Sequence, residues 1–250
     1  MLEKYTTERE IGPSICDADG RLSYAESFGL FMDIASVHAG QLGNGVLDMA
    51  GMGLFWLTVK TQINFINRPQ ITQMVTMETW PEQHSRMRGN RSYVLRCGDE
   101  MMLTGKTEWA VITTDTHRLT PIEGIYPDGY RFDLPGICPG PFARIPDCFE
   151  GLEPYAEYRV RSTDIDVGGH MNNTAYVRAL MGTFTGEEMK KMQIKEMALW
   201  IKNMQITPSK RRSSFLASTA PPALPPGRRS MTRSRAWTWG RTTTSPSRLG

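Results

Sequence analysis

Four cysteines in 250 residues, Cys16, Cys97, Cys138 and Cys148, stand too far apart to make a C-x-x-C pair. That removes the sequence signature of a zinc ribbon or a redox dithiol, and they read as reduced packing residues of a cytoplasmic protein. Histidine is equally scarce, with four. A metal site around His170 would need oxygen ligands for the rest of its shell, so no metal and no cofactor is expected. No run approaches the roughly eighteen apolar residues of a membrane span, and the opening MLEKYTTERE is charged from its third residue with no apolar stretch behind it. Neither membrane insertion nor secretion is expected.

Acidic residues are missing from one part of the chain. No Asp or Glu follows Glu196, whereas nine Lys and Arg follow Ile206; against a total formal charge of +3 this leaves residues 1–206 at −6. The segment 207–250 has the Ser/Thr/Pro/Arg bias of a stretch that cannot build a packed core, and it is expected to be a disordered basic tail. Two origins fit that composition. One is a reading frame lost near Thr207, the other a true basic tail that attracts nucleic acid or an acidic partner. The abrupt switch inside a half-built unit favours the first, and no nucleic-acid partner is expected.

The remainder is ordinary globular material, 40% hydrophobic and 22% charged overall. LEKYTTEREIGP reads as a strand entering a turn. Phe28, Phe31, Met32, Ala35, Ala39 and Leu42 then recur at helical spacing up to Gly43, which predicts a long amphipathic helix. From Leu54 the period changes. LFWLTVKTQINFINRP, QMVTMETWPEQ, RGNRSYVLRCGD and EMMLTGKTEWAVITTD are rich in β-branched and aromatic residues and are separated by turn formers, as in an antiparallel meander. A helix followed by such a meander implies a curved sheet wrapped on the helix.

The order then restarts. After a Pro/Gly-rich linker, YAEYRVRSTD reads as a strand, NNTAYVRALMGTF as the start of a helix and EMALWIKNMQI as the next strand. Asp166 aligns with Asp17 and His170 with Arg21, which supports two copies of one module, at residues 1–135 and 153–206, joined by a linker at 136–152.

Most of the polar chemistry of the second copy lies in DIDVGGHMNN. Gly168 and Gly169 allow positive φ and close approach of the backbone to a ligand. Asn172 or Asn173 is a good N-cap, and the helix starting there would direct unpaired N–H groups at the loop, where they could hold a developing oxyanion. Asp166 and His170 could activate water or attack a carbonyl, with the imidazole moving a proton. Turn formation and helix capping account for the same residue types.

The pattern D-x-D-x-x-G-H-x-N-N-x-x-Y, from Asp164 to Tyr176, resembles the hotdog-fold thioesterases. With DGRLSYAESFGLFMDIASVHAGQLG, WLTVKTQINFINRP, METW and GKTEWAVITTDTHR, the chain over residues 3–206 is similar to the acyl-acyl-carrier-protein thioesterases, in which two hotdog modules stand in tandem. The resemblance implies an α+β double hotdog, its second module truncated or replaced after Ile206. It implies a hydrolase that frees a fatty acid from the phosphopantetheine arm of an acyl carrier protein, with a homodimer open. Asp166 and His170 match the family's catalytic positions, Gly169, Asn172 and Asn173 would bind substrate, and the first module would shape the acyl tunnel. Two departures stand out. Gly168 replaces a usual asparagine, and the region Ser209 to Arg212, where a further catalytic carboxylate is expected, reads SKRR. An acyl-CoA thioesterase, which relies on the carboxylate matching Asp166, and a catalytically weak acyl-binding remnant therefore remain as alternatives.

Overall fold

A computed structural model describes residues 3–142, 156–166, 169–200, 212–216 and 238–239. The helix read from the apolar spacing is α1, Tyr24–Gln41, capped by the Ser23 hydroxyl, which accepts from the Ala25 N–H at 3.2 Å. Its buried side chains include Phe28, Phe31, Ile34, Ala35 and His38. A short helix, α2 (Val46–Gly51), follows, and Asp48 takes the Gly45 N–H at 3.0 Å at its start.

The strands of the first module are β1 (Tyr5–Glu10), β2 (Leu54–Phe65), β3 (Met74–Pro81), β4 (Gly89–Cys97), β5 (Glu100–Thr113) and β6 (Leu119–Thr120). The second module contributes β7 (Ala156–Arg159), the helices α3 (Asn173–Met181) and α4 (Gly186–Lys191), and β8 (Glu196–Trp200). All pairings are antiparallel, in the order β1-β3-β4-β5-β2-β8 with β6 on β5. The sheet curls around α1, whose apolar residues are buried against it and against Val177 and Met181 of α3. Phe31 stacks on Tyr93 with ring centroids 4.8 Å apart, and Tyr24 meets Phe65 edge to face at 4.9 Å.

The two modules meet where β2 pairs with β8, from Lys60↔Trp200 to Asn64↔Glu196. α3 lies beside α1, and Arg178 forks onto both carboxylate oxygens of Glu26 at 2.7 and 2.9 Å. The start of the expected linker is fastened across the outer face of the first sheet. Lys106 donates to the carbonyls of Cys138 and Gly140, Trp80 to that of Pro135, and the Ile137 N–H reaches the Ser92 hydroxyl. Residues 143–152 of that linker lie outside the described residues.

Within the stretch expected as a structureless tail, two segments are strands: β9 (Arg212–Leu216), which pairs with β7, and β10 (Thr238–Trp239), which pairs with β9. β9 meets β7 as β3 meets β1 in the first module. A strand with a bare edge recruits such a partner because its backbone N–H and C=O groups need acceptors and donors. The expected carboxylate region at 209–211 lies outside the described residues.

Packing leaves little slack under α1. A Cβ added at Gly105 would come within 2.7 Å of the Phe31 ring and 3.1 Å of the Gln62 carbonyl. Gly105→Ala should therefore destabilise the fold by about 1–3 kcal/mol in urea denaturation. Tyr93 lies beneath the same helix, and burial pushes its phenol up to about 12. An unfolded tyrosine ionises near pH 10, so the contribution of this ring to stability is complete below that pH and is lost as pH rises toward 12. Urea midpoints should fall across pH 10–12, and Tyr93→Phe should flatten that slope.

Candidate active site

The polar loop of the second module is built like its counterpart in the first. In the first, the Asp17 N–H bonds the Arg21 carbonyl at 2.8 Å, the Gly20 N–H bonds the Asp17 carbonyl at 2.9 Å, and Cys16 bridges Leu22. In the second, the Asp166 N–H bonds the His170 carbonyl at 2.8 Å, the Gly169 N–H bonds the Asp166 carbonyl at 3.0 Å, and Ile165 bridges Met171. Gly20 and Gly169 both turn the chain at positive φ, 71° and 73°, which a side chain would strain. The repeat read from the alignment of Asp17 with Asp166 is thus a repeat of backbone geometry.

The two loops differ in what reaches their aspartates. Arg68, 8% exposed, donates to Asp17 Oδ2 at 2.9 Å and to the Leu22 carbonyl at 3.0 Å, pairs with Asp19, and lies 4.1 Å over the Tyr24 ring. The first-module carboxylate is thereby neutralised. Asp166 instead borders a cavity.

That cavity, about 230 Å³, is lined by Met32, Ala35 and Ala39 of α1, by Phe55 and Trp56 of β2, and by Asp166, Asn172 and Asn173. The second-module loop therefore meets an apolar space built mostly by the first module. Asn172 caps α3, its side-chain oxygen taking the Thr174 N–H at 2.8 Å and its carbonyl the Ala175 N–H at 2.9 Å. Asn173, the first residue of α3, has an N–H that the helix itself cannot bond, and its side-chain amide lies 4.0 Å from Met32 Sδ. A carbonyl oxygen placed there would meet both that donor and the positive end of the helix.

The Asp166 carboxylate accepts the His170 N–H at 3.1 Å, so the two expected catalytic residues are tied through the backbone. The His170 imidazole is not part of the cavity wall, and its buried Nδ1 has no hydrogen-bond partner among the described residues. Gly169 shapes the turn without lining the cavity, and Gly168 lies outside the described residues. The charge of Asp166 is felt by Tyr176, whose phenol is pushed up to about 12, first by burial and then by that carboxylate. Asp164, the other acid of the D-x-D pair, has a structural role, accepting from the Arg161 N–H at 2.6 Å and the Tyr158 hydroxyl at 3.0 Å. No group of His, Cys, Asp and Glu suited to a metal ion occurs among the described residues.

Arg68 and a buried cluster of Arg91, His38 and Tyr126 were not legible as site residues. Their trace in the sequence is slight: Arg91, within NRS, takes a position where the alternation with Tyr93 and Leu95 calls for an apolar side chain, and Arg68, within NRP, lies in the loop after β2 with no such signal.

A curved antiparallel sheet wrapped on a helix, repeated in tandem, with a polar loop at a helix start facing an apolar cavity, defines a double hotdog protein. Residues 3–130 match the family model of the acyl-ACP thioesterase N-terminal domain and residues 153–206 that of the C-terminal domain. The chain belongs to the acyl-ACP thioesterase family. It is 24% identical over 190 residues to oleoyl-acyl carrier protein thioesterase 2 of Arabidopsis thaliana, covering 68% of this chain and 51% of that protein. It is 25% identical over 144 residues to the oleoyl-acyl carrier protein thioesterase of Coriandrum sativum, covering 52% and 38%. The chain thus spans about half the length or less of these curated relatives. Among solved structures, an acyl-ACP thioesterase from Bacteroides thetaiotaomicron superposes with TM-score 0.70 at 19% identity, covering 86% of this chain and 87% of that one. The 12:0-ACP thioesterase from Umbellularia californica gives 0.68 at 17%, covering 87% and 89%. These likenesses show the fold.

Removing the first-module counter-charge should cost stability. Arg68→Met leaves Asp17 and Asp19 without their shared cation and should destabilise by about 1–3 kcal/mol, whereas Asp166→Asn should cost less than about 1 kcal/mol; paired urea denaturation curves measure both.

Proposed function

We propose that the protein hydrolyses fatty acyl thioesters of an acyl carrier protein and releases the free fatty acid. The observation that carries this reading is the meeting of Asp166, Asn172 and Asn173 with the apolar cavity of the first module. The acyl chain would lie along α1, with its thioester at the mouth of the cavity beside the start of α3. In this reading Asp166 takes a proton from water as the water oxygen bonds the thioester carbon. The Asn173 N–H stabilises the oxyanion, and the proton passes to the sulfur as the C–S bond breaks. His170 holds the loop to Asp166 through its backbone and assists that proton transfer, while Gly169 and Asn172 shape and cap the substrate-binding turn. The modules would be residues 1–135 and 153–206, joined at 136–152, with 207–250 a basic tail.

Among the described residues no helix is long and apolar enough to cross a membrane. The proposed setting is the cytoplasm, with an acyl carrier protein as the partner. The absence of any acid after Glu196 supports slow turnover by this chain, in line with an acyl-binding remnant of such an enzyme.

Purified protein should release fatty acid from a long-chain acyl-carrier-protein thioester, and Asp166→Asn should lower kcat by about 10²- to 10⁴-fold with KM little changed. Equal rates for the two proteins would remove Asp166 from the mechanism. A higher kcat/KM on the matching acyl-CoA would name coenzyme A as the carrier instead.

A further inference from the structure

The cavity wall changes character along its length. On the α1 side it runs from Met32, beside Asn173, to Ala39, about 10 Å away at 1.5 Å of rise per residue. Past Ala39 the lining mixes apolar Val46, Met49 and Trp109 with Asn44, Asn90, Arg91 and Tyr126, and the contact of Arg91 with His38 sets the guanidinium at this end. Arg91 is 6% exposed and lies on the same face of β4 as Tyr93, pointing in toward α1.

Its guanidinium donates to His38 Nδ1 at 3.0 Å and to Thr79 Oγ1 at 3.4 Å, and its charge acts on the Tyr126 phenol, which burial otherwise pushes up. Arginine can only donate, so His38 Nδ1 must be the unprotonated nitrogen of a neutral ring. Every one of these partners is therefore neutral. Among the described residues no carboxylate pairs with Arg91, although the other enclosed arginine, Arg68, has two. A charge enclosed to this degree is ordinarily paired, because burial removes the water that would otherwise stabilise it.

We propose that the far end of the cavity is an anion subsite, in which Arg91 and Tyr126 receive a carboxylate at the terminus of the acyl chain. The preferred ligands are then monothioesters of dicarboxylic acids. An alkyl terminus leaves the guanidinium desolvated without an anion, whereas a carboxylate accepts from its free N–H groups in the forked geometry that arginine provides. The inference rests on the thioester-hydrolase reading only for the mouth of the cavity; the subsite concerns binding alone.

Two non-hydrolysable pantetheine thioethers of equal chain length, one ending in a carboxylate and one in a methyl group, separate these questions when titrated into the full chain by calorimetry. The carboxylate-ended ligand should bind at least about tenfold more tightly. That advantage should vanish in Arg91→Met, persist in part in Arg91→Lys, and shrink several-fold in Tyr126→Phe, which keeps the cation should Arg91→Met fail to fold. Equal or tighter binding of the methyl-ended ligand by the parent protein would overturn the proposal, as would an advantage that survives Arg91→Met. Neither readout depends on turnover. An inactive protein with the carboxylate preference upholds the subsite and sinks the hydrolase reading, and an active protein that prefers methyl ends does the reverse.

Discussion

The antiparallel seam between β2 and β8 fixes where the polar loop of the second module stands against the cavity of the first. Five residue pairs, from Lys60↔Trp200 to Asn64↔Glu196, join the edge of one wrapped helix to the other. Because strand pairing alternates side chains between two faces, a slip of one residue would turn the second module over and carry its polar loop away from the cavity. The Arg178 fork onto Glu26 fixes the same arrangement from the helix side, so α3 begins beside Met32 and Asn173 meets the first module's lining. Most of the cavity belongs to the first half of the sequence and Asp166, Asn172 and Asn173 to the second, and the seam is what brings them together.

Duplication supplied two copies of one turn, and electrostatics separated their roles. Asp17 and Asp166 occupy equivalent places in turns with matching backbone hydrogen bonds. Arg68, reaching across from the loop after β2, pairs with both Asp17 and Asp19 and makes the first turn a structural clamp. Asp166 keeps its face toward the cavity, so only the second turn presents a carboxylate beside an open helix start. The same reasoning divides the two acids of the second loop. Asp164 is occupied by the Arg161 N–H and the Tyr158 hydroxyl, whereas Asp166 accepts the His170 N–H and borders the cavity.

Much of this was written in local patterns. The apolar spacing of Phe28, Phe31 and Ala35 predicts α1, and the change to alternation after Leu54 predicts the meander, because helix and strand periodicities follow from backbone geometry over a few residues. The short helix α2 and the strands at Arg212–Leu216 and Thr238–Trp239 were not legible. Elements this short carry too little periodicity, and the strands depend on long-range partners, β9 on the bare edge of β7 and β10 on β9, that composition cannot register.

The sequence by itself determined α1, the meander and the concentration of polar groups between Asp164 and Asn173, since each of these depends on neighbours in the chain. Tertiary structure alone decided which aspartate is neutralised, that His170 is not part of the cavity wall, and that Arg91 sits buried against the cavity with neutral partners among the described residues. Those outcomes depend on residues far apart in the chain meeting at hydrogen-bond distance, 51 positions for Arg68 and Asp17 and 53 for Arg91 and His38. Charge and burial act through space, and the folded sheet sets those distances.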